Sequence, residues 1–189
     1  MSQSFSRSII PATRSLRRVL RGLFELYAHD LSPHTGAEVS PQGRYTDEDF
    51  LRHWHGNLAD GIRPFLLQVD GQWAGFAWVG QGSYVAPGSA QRWLMEEFFI
   101  LRKYRRQGHG TWFASQLFAQ FPDEWEVGEL ATNLDAQQFW RATIQRLVGT
   151  FDEVWVNNER WQGLVQIFRI ASPASAVPRS KYVDARRER

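Results

Sequence analysis

Three features of the 189-residue sequence predict an α/β sandwich. Apolar residues recur at three- and four-residue spacing in some segments and run together or alternate in others, so helices and strands are interleaved. Asp70-Gly71 lies between two apolar runs, and that pair suits a tight turn needing positive φ, which marks a β-hairpin. A third stretch, Glu97-Phe98-Phe99-Ile100-Leu101-Arg102-Lys103-Tyr104-Arg105-Arg106-Gln107-Gly108-His109-Gly110, reads as an apolar strand entering a basic, glycine-spaced loop that opens a helix.

Ser8-Ile9-Ile10 is the first expected strand. Leu16, Val19, Leu20, Leu23 and Tyr27 then follow a helical period, with Arg14, Arg17, Arg18 and Arg21 turned largely to the other side as a solvated face. A loop rich in Pro, Gly and Ser is expected over 32–43. Thr46 reads as an N-cap with Asp49 three residues on, and Phe50, Leu51, Trp54 and Leu58 form the stripe of a second helix. Residues 65–69 and 73–79 are the hairpin arms, 80–89 a loop, and 92–101 the next strand. Phe113, Ala114, Leu117, Phe118 and Phe121 define the helix after the glycine loop, which Pro122 ends. A strand over 124–132, a helix opened by Asn133, and strands over 151–156 and 164–170 complete the order. A polar turn, Asn157-Asn158-Glu159, separates the last two.

Length and composition describe one domain over 1–170 and a basic tail over 171–189, since a domain typically holds about 100–200 residues. Nine Trp and thirteen Phe supply a sizeable core. No run approaches about 18 apolar residues, so no membrane span is expected, and the polar start lacks a signal-peptide core. A cytoplasmic location follows. The absence of cysteine excludes disulfides, thiolate metal sites and a cysteine nucleophile. His53 and His55, two apart on a helix, point about 200° away from each other and cannot share an ion, so no metal is expected. The tail carries three net positive charges of the chain's +2, leaving the body at −1. With Pro173 and Pro178 and no accompanying aromatic series, the tail reads as a frayed terminus, and nucleic acid is not expected as a partner.

The glycine loop carries the chemistry. Amides at a helix start lack intrahelical acceptors, and with the helix dipole they form a seat for phosphate. Glycines let an anion approach the backbone closely. A dinucleotide fingerprint would need a glycine where Phe113 stands, and no Gly-Lys-Ser/Thr ending is present for a P-loop. The pattern that fits is Arg/Gln-x-x-Gly-x-Gly/Ala, filled by Arg105, Gly108 and Gly110, followed downstream by Asn133-Leu134-Asp135-Ala136-Gln137-Gln138-Phe139-Trp140 at a second helix start. Together these two motifs resemble the acyl-CoA loop and the Asn-x-x-Ala-x-x-Phe/Leu-Tyr helix of the GNAT superfamily of N-acetyltransferases. The run from 125 to 141 is similar to a branch of predicted bacterial acetyltransferases. The firm resemblance covers roughly 96–144.

The resemblance implies a GNAT fold, with a mixed, mostly antiparallel sheet of six to seven strands flanked by about four helices. It implies acetyl-CoA as co-substrate, with its pantetheine arm against the backbone of Phe98 and Ile100. The amides of Arg106, Gln107, Gly108, His109, Gly110 and Thr111 would hold the pyrophosphate, aided by the Arg105 and Arg106 side chains. Asn133, Phe139 and Trp140 would complete the cofactor wall, with Asn133 equally suited to capping its helix. Transfer to an amine requires a proton acceptor, and Glu97 is the first candidate, with Glu96 next. Successive strand residues face opposite sides, so only one of the two enters the cleft unless a bulge intervenes. Trp140 stands where many members have a tyrosine that protonates the departing thiolate, and an indole cannot do so. Water, Tyr104, Tyr84 or no acid at all would then serve. The implied function is an acetyl-CoA-dependent N-acetyltransferase acting by direct attack on an unidentified small-molecule, peptide or protein amine, as a monomer or homodimer. A noncatalytic acyl-CoA-binding regulatory module is the alternative that Trp140 raises. Trp54, Trp73, Trp78 and Trp93 are expected mostly in the core, with a cation cage as the lesser reading.

Overall fold

The computed structural model describes residues 5–45, 50, 61–88 and 91–172. Seven strands form one sheet: β1 (Arg7–Pro11), β2 (Arg63–Val69), β3 (Gln72–Gly82), β4 (Arg92–Ile100), β5 (Asp123–Leu130), β6 (Asp152–Asn157) and β7 (Gln162–Ile170). Their order across the sheet is β1-β2-β3-β4-β5-β7-β6. Among the described residues only the β4–β5 pair is parallel, and every other neighbour is antiparallel. Three helices are described, α1 (Arg17–Thr35), α2 (His109–Gln120) and α3 (Leu134–Val148). The second helix expected from Thr46 onward, with His53, His55 and Trp54, lies outside the described residues, as does nearly all of the basic tail. Phe50 is described, and it is fully buried against α1.

Alternation along the strands divides the core between two faces. Leu20, Leu23 and Phe24 of α1 pack on Leu66, Phe76, Trp78 and Phe99. On the opposite face Phe113, Leu117 and Phe118 of α2 and Trp140 and Ile144 of α3 cover Val79, Met95, Trp125, Val127 and Phe168. Trp78 and Trp125 are core residues, and the cation over Trp93 is the chain's own Arg63, at 5.0 Å.

The hairpin turns at Asp70 and Gly71, both at positive φ (50° and 74°). Two expected boundaries shift. The helix α1 runs through Ser32 and Pro33 to Thr35, where a loop was expected. Proline lacks the N–H that would bond the carbonyl of His29, but the Ser32 hydroxyl donates to that carbonyl at 2.9 Å, and Gly36, at φ 69°, caps the helix. The strand β3 continues to Gly82 because β4 pairs with it as far as Arg92.

Candidate active site

The parallel pairing of β4 with β5 covers only Trp93–Trp125, Leu94–Glu126 and Met95–Val127. Both strands continue, β4 to Ile100 and β5 to Leu130, so they diverge and leave a gap. The Leu101 N–H turns to β3, bonding the Ala74 carbonyl at 2.9 Å, so alternation aims the main-chain groups of Phe98 and Ile100 into the gap. The Ile100 carbonyl is already taken by the Arg105 Nε–H at 2.6 Å.

A bulge marks the point where the strands separate. Trp78 pairs with Glu97 and Val79 with Met95, which leaves Glu96 as the extra residue. Both carboxylates therefore reach the α1 face. Glu97 pairs with Trp78, whose ring stacks on Phe24 of α1 at 5.3 Å, and it accepts the Tyr27 hydroxyl. Glu96 lies over Gly80, where a Cβ would come within 2.8 Å of its Oε1. It accepts the Tyr84 hydroxyl at 3.0 Å and pairs with Arg160 at 3.3 Å. Desolvation and then the adjacent carboxylate push both phenols well above the ordinary tyrosine range, so each stays a proton donor to its glutamate. Tyr84 is in turn placed by Glu126. That fully buried carboxylate accepts the Ser83 hydroxyl and the Tyr84 amide at 2.6 Å each, and pairs with Arg92 at 2.6 Å.

Beyond the gap, residues 102–108 lead into α2. Gly108 takes φ 78° as the N-cap, with open space where a Cβ would stand. Arg106 also has positive φ, 59°. The first-turn amides that follow have no intrahelical acceptors. Gly110 has a different reason for being glycine, since a Cβ there would meet the Phe139 ring at 3.2 Å. The Thr111 hydroxyl lies 3.2 Å from that of Thr143 on α3. The Gln107 side chain donates to the Lys103 carbonyl at 2.7 Å.

Arg105 and His109 are turned away from the helix start. The Arg105 guanidinium pairs with Asp30 of α1 at 2.6 Å and lies over Phe99. Burial pulls the Asp30 carboxyl upward, but hydrogen bonds from Arg102 and Arg105 outweigh it and hold the group below the usual carboxylate range. The His109 ring is fully buried edge-on to Phe5, and burial, with Arg7 nearby, lowers its pKa, so it is a neutral core group. The His109 contribution to an anion site is its amide alone. Open backbone on one wall of the gap and open amides at its mouth suit a long ligand ending in a diphosphate.

The α3 wall is aromatic. Phe98 stacks on Phe139 and meets Trp140 edge-on at 4.9 Å. Trp140 is 5% exposed and packs with the core on that face of the sheet. Asn133 caps α3, its side-chain oxygen accepting the Ala136 amide at 3.2 Å. Tyr104 stands beside Lys103 and His109, and Tyr84 is committed to Glu96.

The model of the acetyltransferase (GNAT) family matches residues 21–143, well over half the chain. The chain belongs to that family. A GNAT acetyltransferase is also what its architecture resembles among solved structures. An acetyltransferase from Thermus thermophilus superposes with TM-score 0.64 over 87% of this chain and 97% of that one, at 18% identity. A histone acetyltransferase HPA2 and related acetyltransferase from Corynebacterium glutamicum gives 0.61 over 89% and 98%, at 14%. Naa50 of Arabidopsis thaliana, in complex with the bisubstrate analogue CoA-Ac-MVNAL, gives 0.54 over 87% and 99%, at 16%. No curated protein matches the chain. Among the described residues no helix is long and apolar enough to cross a membrane, and no group of three or more His, Cys, Asp or Glu is arranged to hold a metal.

Within this GNAT acetyltransferase the structure brings Glu96, Glu97 and the Phe98 backbone together at the gap, with Gly108 and its neighbouring amides at the mouth. Tyr27, Glu126 and Arg160 also shape the site, and sequence reasoning missed them. Tyr27 reads only as one member of an apolar stripe. Glu126 had a signal, a carboxylate inside the apolar run Trp125-Glu126-Val127.

Proposed function

We propose that this acetyltransferase moves the acetyl group of acetyl-CoA directly onto the nitrogen of an amine on a small molecule, peptide or protein. The observation that carries the reading is the divergence of β4 from β5 immediately after Met95 and Val127, beside a helix start with open amides. The Phe98 backbone and the Ile100 N–H would pair with an extended amide chain, and the amides of residues 106–111 with a diphosphate. Arg106, which makes no hydrogen bond or ion pair among the described residues, would add charge there, whereas Arg105 positions the loop through Asp30. Acetyl-CoA supplies an activated thioester, and the cysteine-free sequence supports attack without an acyl-cysteine step.

An alkyl ammonium has a pKa near about 10, so its nitrogen must lose a proton before it attacks. Glu97 is the proposed proton acceptor. It accepts the Tyr27 hydroxyl, and Glu96, engaged by Tyr84 and the Arg160 guanidinium, is the second candidate and a holder of the ammonium. We further place the protein in the cytosol, as a monomer or homodimer without a nucleic-acid partner.

Calorimetric titration with acetyl-CoA tests the binding half. Gly108→Val is expected to weaken binding by at least about tenfold, the worth of one charge-assisted hydrogen bond. Equal heats for variant and wild type would remove the loop from the site. The chemical half is read by free thiol released in the presence of spermidine, an aminoglycoside or a short peptide with a free N-terminus. Glu97→Gln should lower kcat about 10²-fold, the range of a general base. Trp140 favours a second reading, a noncatalytic acyl-CoA-binding module, which predicts binding with no thiol release across the panel.

A further inference from the structure

The mechanism leaves one buried carboxyl unused. Glu129 lies on β5, on the wall of the gap opposite Phe98, and is 3% exposed. Alternation sets its direction: Trp125 and Val127 face α2 and α3, Glu126 faces the other side, and Glu129 shares the face of Trp125 and Val127. Gln137 of α3 donates to the Leu130 and Ala131 carbonyls at 3.1 and 3.2 Å, which seats the first turns of α3 over this end of β5. Trp140 and Arg141 follow within one turn. Glu129 therefore lies beneath the first turns of α3, on the wall of the gap.

Neither Glu129 oxygen has a hydrogen-bond partner, and the buried Gln166 Oε1 has none either. Glu129 pairs across the ladder with Leu164, so Gln166, two residues on, is its diagonal neighbour on the same face. The Gln166 amide nitrogen donates to Glu153 at 3.1 Å, which leaves its oxygen as an acceptor only. Three buried acceptor oxygens without a donor are costly, and a proton on Glu129 supplies the missing donor. The charges acting on the site are Glu153 on β6 and Arg141 on α3, and these two neutralise each other in a paired contact at 2.7 Å. Burial, reinforced by Glu153, pushes the Glu129 carboxyl up to about 9, so the group is uncharged at neutral pH.

We propose that Glu129, in place of the tyrosine that Trp140 replaces, is the acid that protonates the departing thiolate. The inference rests on the acetyltransferase reading. As the amine nitrogen bonds to the carbonyl carbon and the carbon–sulfur bond breaks, the sulfur keeps the bonding pair and takes the proton from the Glu129 carboxyl. The nitrogen sheds two protons in all, one to Glu97 before it attacks and one to solvent once the nitrogen–carbon bond has formed, and exchange with solvent restores both carboxyls before the next turnover.

The test variant is Glu129→Gln, which keeps the shape and a donor but has no transferable proton. Infrared difference spectra of the free protein at pH 7 are expected to lose the carbonyl stretch of one protonated carboxyl in the variant, independently of turnover. Retained acetyl-CoA binding and melting transition show that the variant is folded. With the best amine acceptor of the panel, kcat with acetyl-CoA should fall about 10²-fold. The loss should shrink several-fold with an acetyl thioester of an acidic aryl thiol, whose leaving group needs no proton. An unchanged spectrum, an unchanged kcat, or an equal loss with both thioesters would overturn the assignment. A wild-type protein that binds acetyl-CoA yet releases no thiol, while showing the infrared band, would remove the acetyl-transfer reading beneath it and the acid role with it.

Discussion

Glu126 and Glu129 stand three residues apart on one strand, both buried, and the protein treats them in opposite ways. Glu126 faces the α1 side, where Ser83, the Tyr84 and Val85 amides and Arg92 all donate to it. Glu129 faces α3 and receives no hydrogen bond. Burial alone therefore does not decide a carboxyl's role. The first gathers donors that organise the loop carrying Tyr84, and through Tyr84 it orients Glu96. The second is kept neutral, because a buried carboxylate that no protein donor meets costs more than its protonation.

The largest expected break in this contrast comes from pH. The folded Glu129 keeps its proton up to about 9, whereas an unfolded carboxyl loses it near its ordinary 4.5. Between these values the native state binds more protons than the unfolded state, so stability falls as pH rises. The slope from this group approaches about 1.4 kcal/mol per pH unit within the window and vanishes outside it. Urea titrations from pH 5 to 9 should show that decline in the wild type and a flatter profile in Glu129→Gln; parallel profiles would mean that Glu129 ionises freely. Removing the paired carboxylate comes next. Glu126→Ala takes from Arg92 its buried partner, leaving it only Glu124, and frees the 83–86 turn, with an expected cost of about 3 kcal/mol by denaturant midpoint at pH 7 and a lower kcat through the loss of Tyr84 placement. The smallest effect is a sharpening one. Arg141 is the nearby charge that favours ionised Glu129, so Arg141→Ala should shift the Glu129 infrared titration to higher pH. Because Arg141 and Glu153 are partly exposed, the loss in stability should stay under about 1 kcal/mol.

How far the site was legible depended on how locally its geometry is encoded. Gly108 was readable because a helix start at positive φ leaves a mark in a few consecutive residues. Asn133 as a cap is equally local, and the Asp70-Gly71 turn likewise. The pair Glu96 and Glu97 was visible, but not that a bulge would bring both to one face, since a bulge depends on the register of β3 against β4. Arg105 looked like an anion ligand and is instead held by Asp30, a residue 75 positions away. Glu129 left no local trace, because its neutrality comes from what packs above it.

The order of elements, the hairpin, the glycine loop and the family were determined by the sequence alone, because apolar period, turn chemistry and a short motif act over neighbouring residues. That Glu129 is kept neutral, that Arg105 meets α1, and where β4 leaves β5 were decided only by the tertiary structure. Those outcomes depend on desolvation and hydrogen bonds from strands and helices distant in the chain, and no spacing along it records them.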